Sequence, residues 1–154
     1  MNTPLLASLV LLSTGMSPVN FCTFFNFQLT SAQIVPPGDA VGSATVAAGL
    51  CEDHRFSGVA RLTTAESVTA IQIHSPAGPG EVGPVLFSLP LPVDGYVALD
   101  MGPLAPDVEG MLIRQELYMD VHTVQHPDGA FGGIVRVEVA VASGSWSSVK
   151  QLYK

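Results

Sequence analysis

The chain reads Phe25-Asn26-Phe27-Gln28-Leu29-Thr30 near its start, so that large apolar side chains alternate with polar ones. Successive residues of a β-strand point to opposite faces of the sheet, and this period of two is typical of a strand with one buried face. Pro36-Pro37-Gly38-Asp39 then interrupts the pattern. Because proline cannot donate to a central ladder, we predict that residues 36–39 form the turn of a hairpin between the first two strands, at a sheet edge.

Further short apolar runs follow along the chain, each bounded by glycine, proline or small polar residues. They predict strands at residues 42–50, 56–62, 68–73, 85–89, 96–101, 117–122 and 134–141. One segment differs: Asp107 can cap a helix, and Val108, Met111 and Leu112 follow at helical spacing, which predicts one short helix near residues 106–114. Seven or eight short strands with frequent turns favour an all-β fold, a Greek-key sandwich or barrel.

The composition limits the classes of function. A chain of 154 residues has the size of one domain, and with 47% hydrophobic and only 12% charged residues it is too apolar for disorder. The 15 glycines and 12 prolines indicate many turns. The net charge of −7, with no basic stripe or tail, makes nucleic acid and anionic membranes poor partners.

No charged side chain precedes Asp39, and an apolar run over residues 5–12 has the length of a signal peptide, too short to span a bilayer. We therefore predict a signal peptide at residues 1–20, a β-domain at 21–142 and a polar tail at 143–154. The predicted location is secreted, extracellular or periplasmic, with no membrane span in the mature chain. A basic n-region and an A-x-A triplet are missing, so a buried N-terminal strand or an incomplete natural start remains an alternative.

Strand parity predicts one polar sheet face. If Ile71 and Ile73 belong to the core, Gln72 and His74 point outward, and the same alternation turns the polar members of 117–122 away from the core. The side chains assigned to this outward face are Gln72, His74, Tyr118, Asp120 and His122. Tyr118 and Phe131 can equally be read as binding-face or core residues.

Four ordered motifs resemble the CHRD domain. They are Phe25-Asn26-Phe27-Gln28-Leu29-Thr30 with Pro36-Pro37; Ile73-His74-Ser75-Pro76-Ala77; Gly80 with Gly83-Pro84-Val85; and Leu117-Tyr118-Met119-Asp120-Val121-His122-Thr123 with Pro127 and Gly129. The resemblance spans about residues 24 to 137. It implies an extracellular, immunoglobulin-like β-fold with no established activity. Family members commonly have His-Ile-His at Gln72-Ile73-His74, and Gly-Glu-Ile-Arg-Gly at residues 129–133.

We expect an exported binding or structural domain without catalytic activity or cofactor, with its ligand, its protein partners and its oligomeric state left open. The chain has no Gly-x-Ser-x-Gly elbow, phosphate loop or His-Glu-x-x-His motif. The candidate binding residues are His74, Asp120, His122, Tyr118 and Gln72.

The alternative function is a metal-binding domain. His74, His122 and Asp120 would supply two imidazoles and a carboxylate, which suit copper or zinc, and the arrangement looks like the copper site of Cu/Zn superoxide dismutases. That analogy is at the level of the fold. Gln72 is a poor metal ligand, no fourth ligand is evident in the sequence, and His126 cannot be placed. The other interpretation is therefore that His74 and His122 bind no metal and form hydrogen bonds to loop backbone or to water. Either way, we predict that His74 and His122 lie near each other at one end of the domain.

The two cysteines are predicted to form a disulfide. Residues paired across an antiparallel hairpin have a nearly constant sum of numbers, and the midpoint of Cys22 and Cys51 falls at Pro36-Pro37, inside the predicted turn. An exported protein meets the oxidising compartment that the bond needs. Two buried free thiols are the alternative.

Overall fold

Two antiparallel four-stranded sheets make up the fold of the computed structural model, which describes residues 21–77 and 80–137. The strands are β1 (Cys22–Leu29), β2 (Ser43–Cys51), β3 (Phe56–Thr63), β4 (Val68–His74), β5 (Val85–Ser88), β6 (Tyr96–Met101), β7 (Tyr118–Thr123) and β8 (Phe131–Ile134). The first sheet has the order β1-β2-β3-β6 and the second has the order β5-β4-β7-β8. The all-β sandwich predicted from the strand pattern is confirmed.

The chain crosses between the sheets in Greek-key fashion. After β3 it passes to the second sheet for β4 and β5, then returns so that β6 pairs with β3. Isolated bridges from Thr30 to Gly132 and from Phe25 to Val137 join the edge strands β1 and β8. The sandwich is therefore partly closed along this edge, like a barrel.

The core lies between the two sheets and follows the alternation read from the sequence. Phe25, Phe27 and Leu29 of β1 are all buried. Phe25 meets Phe56 edge to face, with ring centroids 5.2 Å apart. Aromatic pairs in this geometry add to the free energy gained from burying their area.

Among the described residues there is one α-helix, α1 (Pro106–Ile113), and it leads into β7, as predicted. Its start differs from the prediction: Ala105 is the N-cap residue, and Asp107 lies within the first turn without capping it. Pro106 explains the shift, since its fixed φ and missing N–H suit the first position of a helix. Leu112 anchors the helix in the core.

The first hairpin carries the predicted disulfide. Cys22 lies directly opposite Cys51 in the register of β1 and β2, and their sulfurs are bonded, with the Cα atoms 4.0 Å apart. The connection runs over residues 30–42 and includes a short 3-10 helix (Ser31–Gln33) followed by Pro36 and Pro37. The predicted hairpin at a sheet edge and the predicted disulfide are both confirmed.

The last strand begins earlier than predicted. β8 covers Phe131–Ile134 rather than starting at residue 134, because Gly132 and Gly133 pair with β7 instead of belonging to the preceding turn. The predicted strand was wrong at residues 135–137, which follow the end of β8 and contribute to the sheets only an isolated bridge from Val137 to Phe25. Residues 138–141 of that prediction lie outside the described residues, as do the predicted signal peptide (1–20) and the predicted polar tail (143–154). Within the part of the chain that the structure describes, no helix is long and apolar enough to cross a membrane.

Candidate functional site

Three polar side chains meet on the outer face of the second sheet. His74 ends β4, while Asp120 and His122 lie on β7. The register pairs His74 with Tyr118, Gln72 with Asp120 and Ala70 with His122, which places all three side chains on one face. One ligand atom of each lies within 4.8 Å of the others. The predicted proximity of His74 and His122 is confirmed, and we call the three residues the His–Asp–His cluster.

The carboxylate of Asp120 lies between the two imidazole rings. Its Oδ1 is 3.1 Å from Nε2 of His74 and 3.0 Å from Nε2 of His122. Its Oδ2 is also 3.1 Å from Nε2 of His74. Both histidines therefore present the same ring nitrogen to a single carboxylate.

Backbone carbonyls fix the opposite side of each ring. Nδ1 of His74 is 2.8 Å from the carbonyl oxygen of Gly83, and Nδ1 of His122 is 2.7 Å from that of Pro127. A carbonyl oxygen can only accept, so each Nδ1 carries the proton and donates it. In a neutral imidazole this leaves Nε2 as an acceptor.

The face that carries the cluster is covered, whereas parity had predicted an outward polar face. His74 is 5% exposed and Asp120 is 2% exposed. The cover is the connection between β1 and β2, where the buried side chain of Ile34 follows the 3-10 helix. Strand alternation identifies which side chains share a face, but it carries no information about a loop from the other sheet that folds over that face.

A groove of about 760 Å³ opens above the cluster, and we call it the loop groove. Its walls come from three loops, and its base is the His–Asp–His cluster. The wall residues are Ala32, Gln33, Ile34, Val35, Pro36, Pro37, Gly80, Val82, Pro127 and Asp128. Among these described residues there is no lysine, arginine, hydroxyl or thiol, so Asp120 and Asp128 make the groove acidic.

The family model described as CHRD domain matches residues 25–135, a span that contains the whole cluster and all of both sheets except the first three residues of β1. The chain belongs to the CHRD domain family. The resemblance found in the motifs is thereby confirmed. Searches of curated proteins and of solved structures gave no match. Membership supports a binding or structural role in general terms, and together with the disulfide it is compatible with a location outside the cytoplasm.

Gly132 of β8 lies directly against the ring of Tyr118, since a Cβ atom at this position would collide with the Tyr118 hydroxyl. That hydroxyl donates to the carbonyl oxygen of Gln33, 3.2 Å away, and so ties the covering connection to β7. Burial and the nearby carboxylate of Asp120 raise the pKa of Tyr118, which therefore stays a neutral donor.

Two other predicted site residues, Tyr118 and Gln72, adjoin the cluster without joining its hydrogen bonds, and the ring centroid of Tyr118 is 6.2 Å from that of His74. Tyr118 is buried and lines a neighbouring groove rather than the loop groove. Gln72 is opposite Asp120 in the register but takes no part in the hydrogen bonds that join the cluster. Phe131 is fully buried, which settles its two interpretations in favour of the core.

His126, which the sequence could not place, joins three loops at the same end of the domain. Its Nδ1 is 2.9 Å from Oε2 of Glu66 and its Nε2 is 3.3 Å from Oδ1 of Asp39. The hydrogen bond to Glu66 raises the pKa of His126, while bonds from Thr123 and His126 lower the pKa of Glu66. This contact depends on loop packing, for which the sequence holds no periodic signal.

Proposed function

We propose that this CHRD domain works outside the cytoplasm as a binding domain without catalytic activity, and that the loop groove is its ligand site. The observation that carries the proposal is the convergence of His74, Asp120 and His122 at the base of a mostly apolar groove. Ligand sites in proteins are typically concave, largely apolar and supplied with a few converging polar groups. The loop groove has these properties.

The orientation of the histidines supports a binding role over hydrolysis. In a Ser–His–Asp triad the carboxylate holds Nδ1 and the nucleophile faces Nε2. Here the carboxylate of Asp120 faces Nε2 of both rings, and each Nδ1 is bonded to a backbone carbonyl. The described lining of the groove also offers no hydroxyl or thiol that either ring could activate.

The disulfide supports work outside the cytoplasm. Bonds of this kind persist in oxidising compartments and are rare in the cytosol. The bond from Cys22 to Cys51 ties the edge strand β1 to β2, and β1 leads directly into the connection that walls the groove. The bond closes the end of this hairpin that lies opposite the connection over residues 30–42.

Expression of the full chain with its native N-terminus in a bacterial host tests this proposal. We expect a shortened product outside the cytoplasm, with both cysteines blocked to alkylation until a reductant is added, as read by mass spectrometry. The double variant Cys22→Ser/Cys51→Ser is the control for alkylation. An intact chain starting at Met1, found in the cytoplasm with two alkylated cysteines, would contradict export.

Catalysis is tested on the same purified chain. With p-nitrophenyl acetate and chelator-treated protein, we expect hydrolysis at the rate measured with chelator-treated His122→Asn, since the described groove lining of neither metal-free protein offers a hydroxyl or thiol nucleophile. A faster rate that this substitution abolishes would contradict the non-catalytic role.

A further inference from the structure

We propose that the loop groove binds a divalent transition-metal ion of the zinc or copper(II) class, held by Nε2 of His74, Nε2 of His122 and the carboxylate of Asp120. The metal ion would be the ligand of the groove. The metal proposal rests on the proposed function in one respect, which is that the loop groove is the binding site. The three side chains support it by their hydrogen-bond partners, their distances and the chemistry of their donor atoms.

The three side chains converge through atoms that bind metal ions. Because both Nδ1 atoms donate to carbonyl oxygens, Nε2 is the ring atom that each histidine turns toward the carboxylate of Asp120. The two Nε2 atoms lie 3.0 and 3.1 Å from that carboxylate in a buried site. One dication held between them would contact all three groups at once.

The distances fit a metal ion. Zinc binds histidine nitrogen and carboxylate oxygen at about 2.0–2.2 Å, so ligand atoms at adjacent corners of a tetrahedron are roughly 3.3 Å apart. The separations between each Nε2 and Asp120 are close to this edge length, and all three ligand atoms fall within 4.8 Å of one another. Small side-chain rotations suffice to bring the three atoms around one ion.

The backbone already orients the rings as metal ligands need to be oriented. Metal-bound histidines almost always donate their second ring nitrogen to a carbonyl or carboxylate, which fixes the tautomer and the ring plane. Gly83 and Pro127 do this for His74 and His122 from two different loops. The two carbonyls act as positioning groups and make no contact with the ion itself.

The donor set indicates which ions bind. Two imidazoles and one carboxylate suit zinc or copper, whereas calcium and magnesium prefer oxygen ligands alone. The acidic groove, without lysine or arginine in its described lining, favours entry of a cation. Three protein ligands leave a fourth position that opens into the groove, where water or an anionic group can bind.

Metal content measured on the oxidised, purified chain tests the proposal. After treatment with a chelator and dialysis, zinc or copper(II) is added in slight excess, free ions are removed on a desalting column, and bound metal is counted by mass spectrometry. We expect one ion per chain for zinc and for copper(II), and none for calcium or magnesium. The electron paramagnetic resonance spectrum of the copper form should show two nitrogen ligands.

Asparagine variants separate ligation from folding. In His74→Asn and His122→Asn the amide can still donate to the carbonyl of Gly83 or Pro127, but no group remains at the position of Nε2. Affinity for zinc should fall by more than the roughly 10–100-fold that loss of an orienting partner costs. His126→Gln and His54→Gln, which lie outside the cluster, should bind zinc like the parent chain.

Two results would overturn the metal proposal. One is a parent chain that is folded and oxidised but retains neither zinc nor copper. The other is one metal ion per chain still bound to a folded His74→Asn/His122→Asn double variant. Folding of each variant is checked by circular dichroism, and Asp120→Asn provides a third ligand-deleted chain if a histidine variant does not fold. These outcomes leave export and the absence of catalysis untouched, so failure of the metal proposal is distinguishable from failure of the proposed function.

Discussion

Removing the disulfide should destabilise the domain by an amount that follows from its position. Cys22 and Cys51 are 29 residues apart in the sequence, and closing a loop of that size lowers the entropy of the unfolded chain by the equivalent of about 3.6 kcal/mol at 25 °C. For a domain of this size, 1 kcal/mol corresponds to roughly 4 °C in Tm, so the double variant Cys22→Ser/Cys51→Ser should melt about 14 °C lower than the oxidised parent chain.

Thermal unfolding followed by circular dichroism measures this difference, and guanidinium unfolding gives the corresponding change in free energy. The reduced parent chain should match the double variant, because both lack the same cross-link. Thr23→Ser, an exposed change on the same strand, should stay within about 0.5 kcal/mol of the parent. A loss below about 1 kcal/mol would refute the reasoning, since it would mean that the cross-link hardly restricts the unfolded chain.

Three further changes test the core, a turn and one ion-pair cluster by thermal unfolding. Phe25→Ala removes a buried ring and should cost about 3–5 kcal/mol; a loss under 1 kcal/mol would contradict its place in the core. Gly42→Ala should cost roughly 1–3 kcal/mol, because Gly42 has φ +134° and a Cβ would collide with a backbone oxygen of β3; an unchanged Tm would exclude this conformation. Glu66 raises the pKa of His126 above 6.5, so the stability that the protonated ring contributes is present below that pH and is lost as the pH rises through the raised pKa. His126→Gln should therefore flatten the dependence of Tm on pH as the pH rises above 6.5, and an unaltered slope would count against the contact with Glu66 and Asp39.

Local patterns were sufficient to predict the helix, the disulfide and every strand but the last, which covers Phe131–Ile134. Alternation of apolar and polar residues located β1, and the sum rule for a hairpin then paired Cys22 with Cys51, because both depend only on the geometry of neighbouring strands. Parity likewise placed His74, Asp120 and His122 on one face. The short helix was found from its spacing, although Pro106 rather than Asp107 sets its start.

Contacts between distant loops were beyond the sequence. The loop groove above the His–Asp–His cluster is walled in part by Ile34, which belongs to a connection of the other sheet. Gly132 lies on a strand, and the ring of Tyr118 occupies the space that a side chain at this position would need. Neither contact has a periodic signature, because each is decided by how the two sheets pack and how the loops fold back over them.

The metal site is the central claim, and a crystal structure of the zinc-loaded chain, with diffraction data on both sides of the zinc absorption edge, tests it most directly. We expect one anomalous peak at the base of the loop groove, about 2.0–2.2 Å from Nε2 of His74, from Nε2 of His122 and from a carboxylate oxygen of Asp120. Nδ1 of each histidine should remain bonded to the carbonyl of Gly83 or Pro127. A groove without a peak, or zinc bound at His126 or His54 instead, would contradict the account.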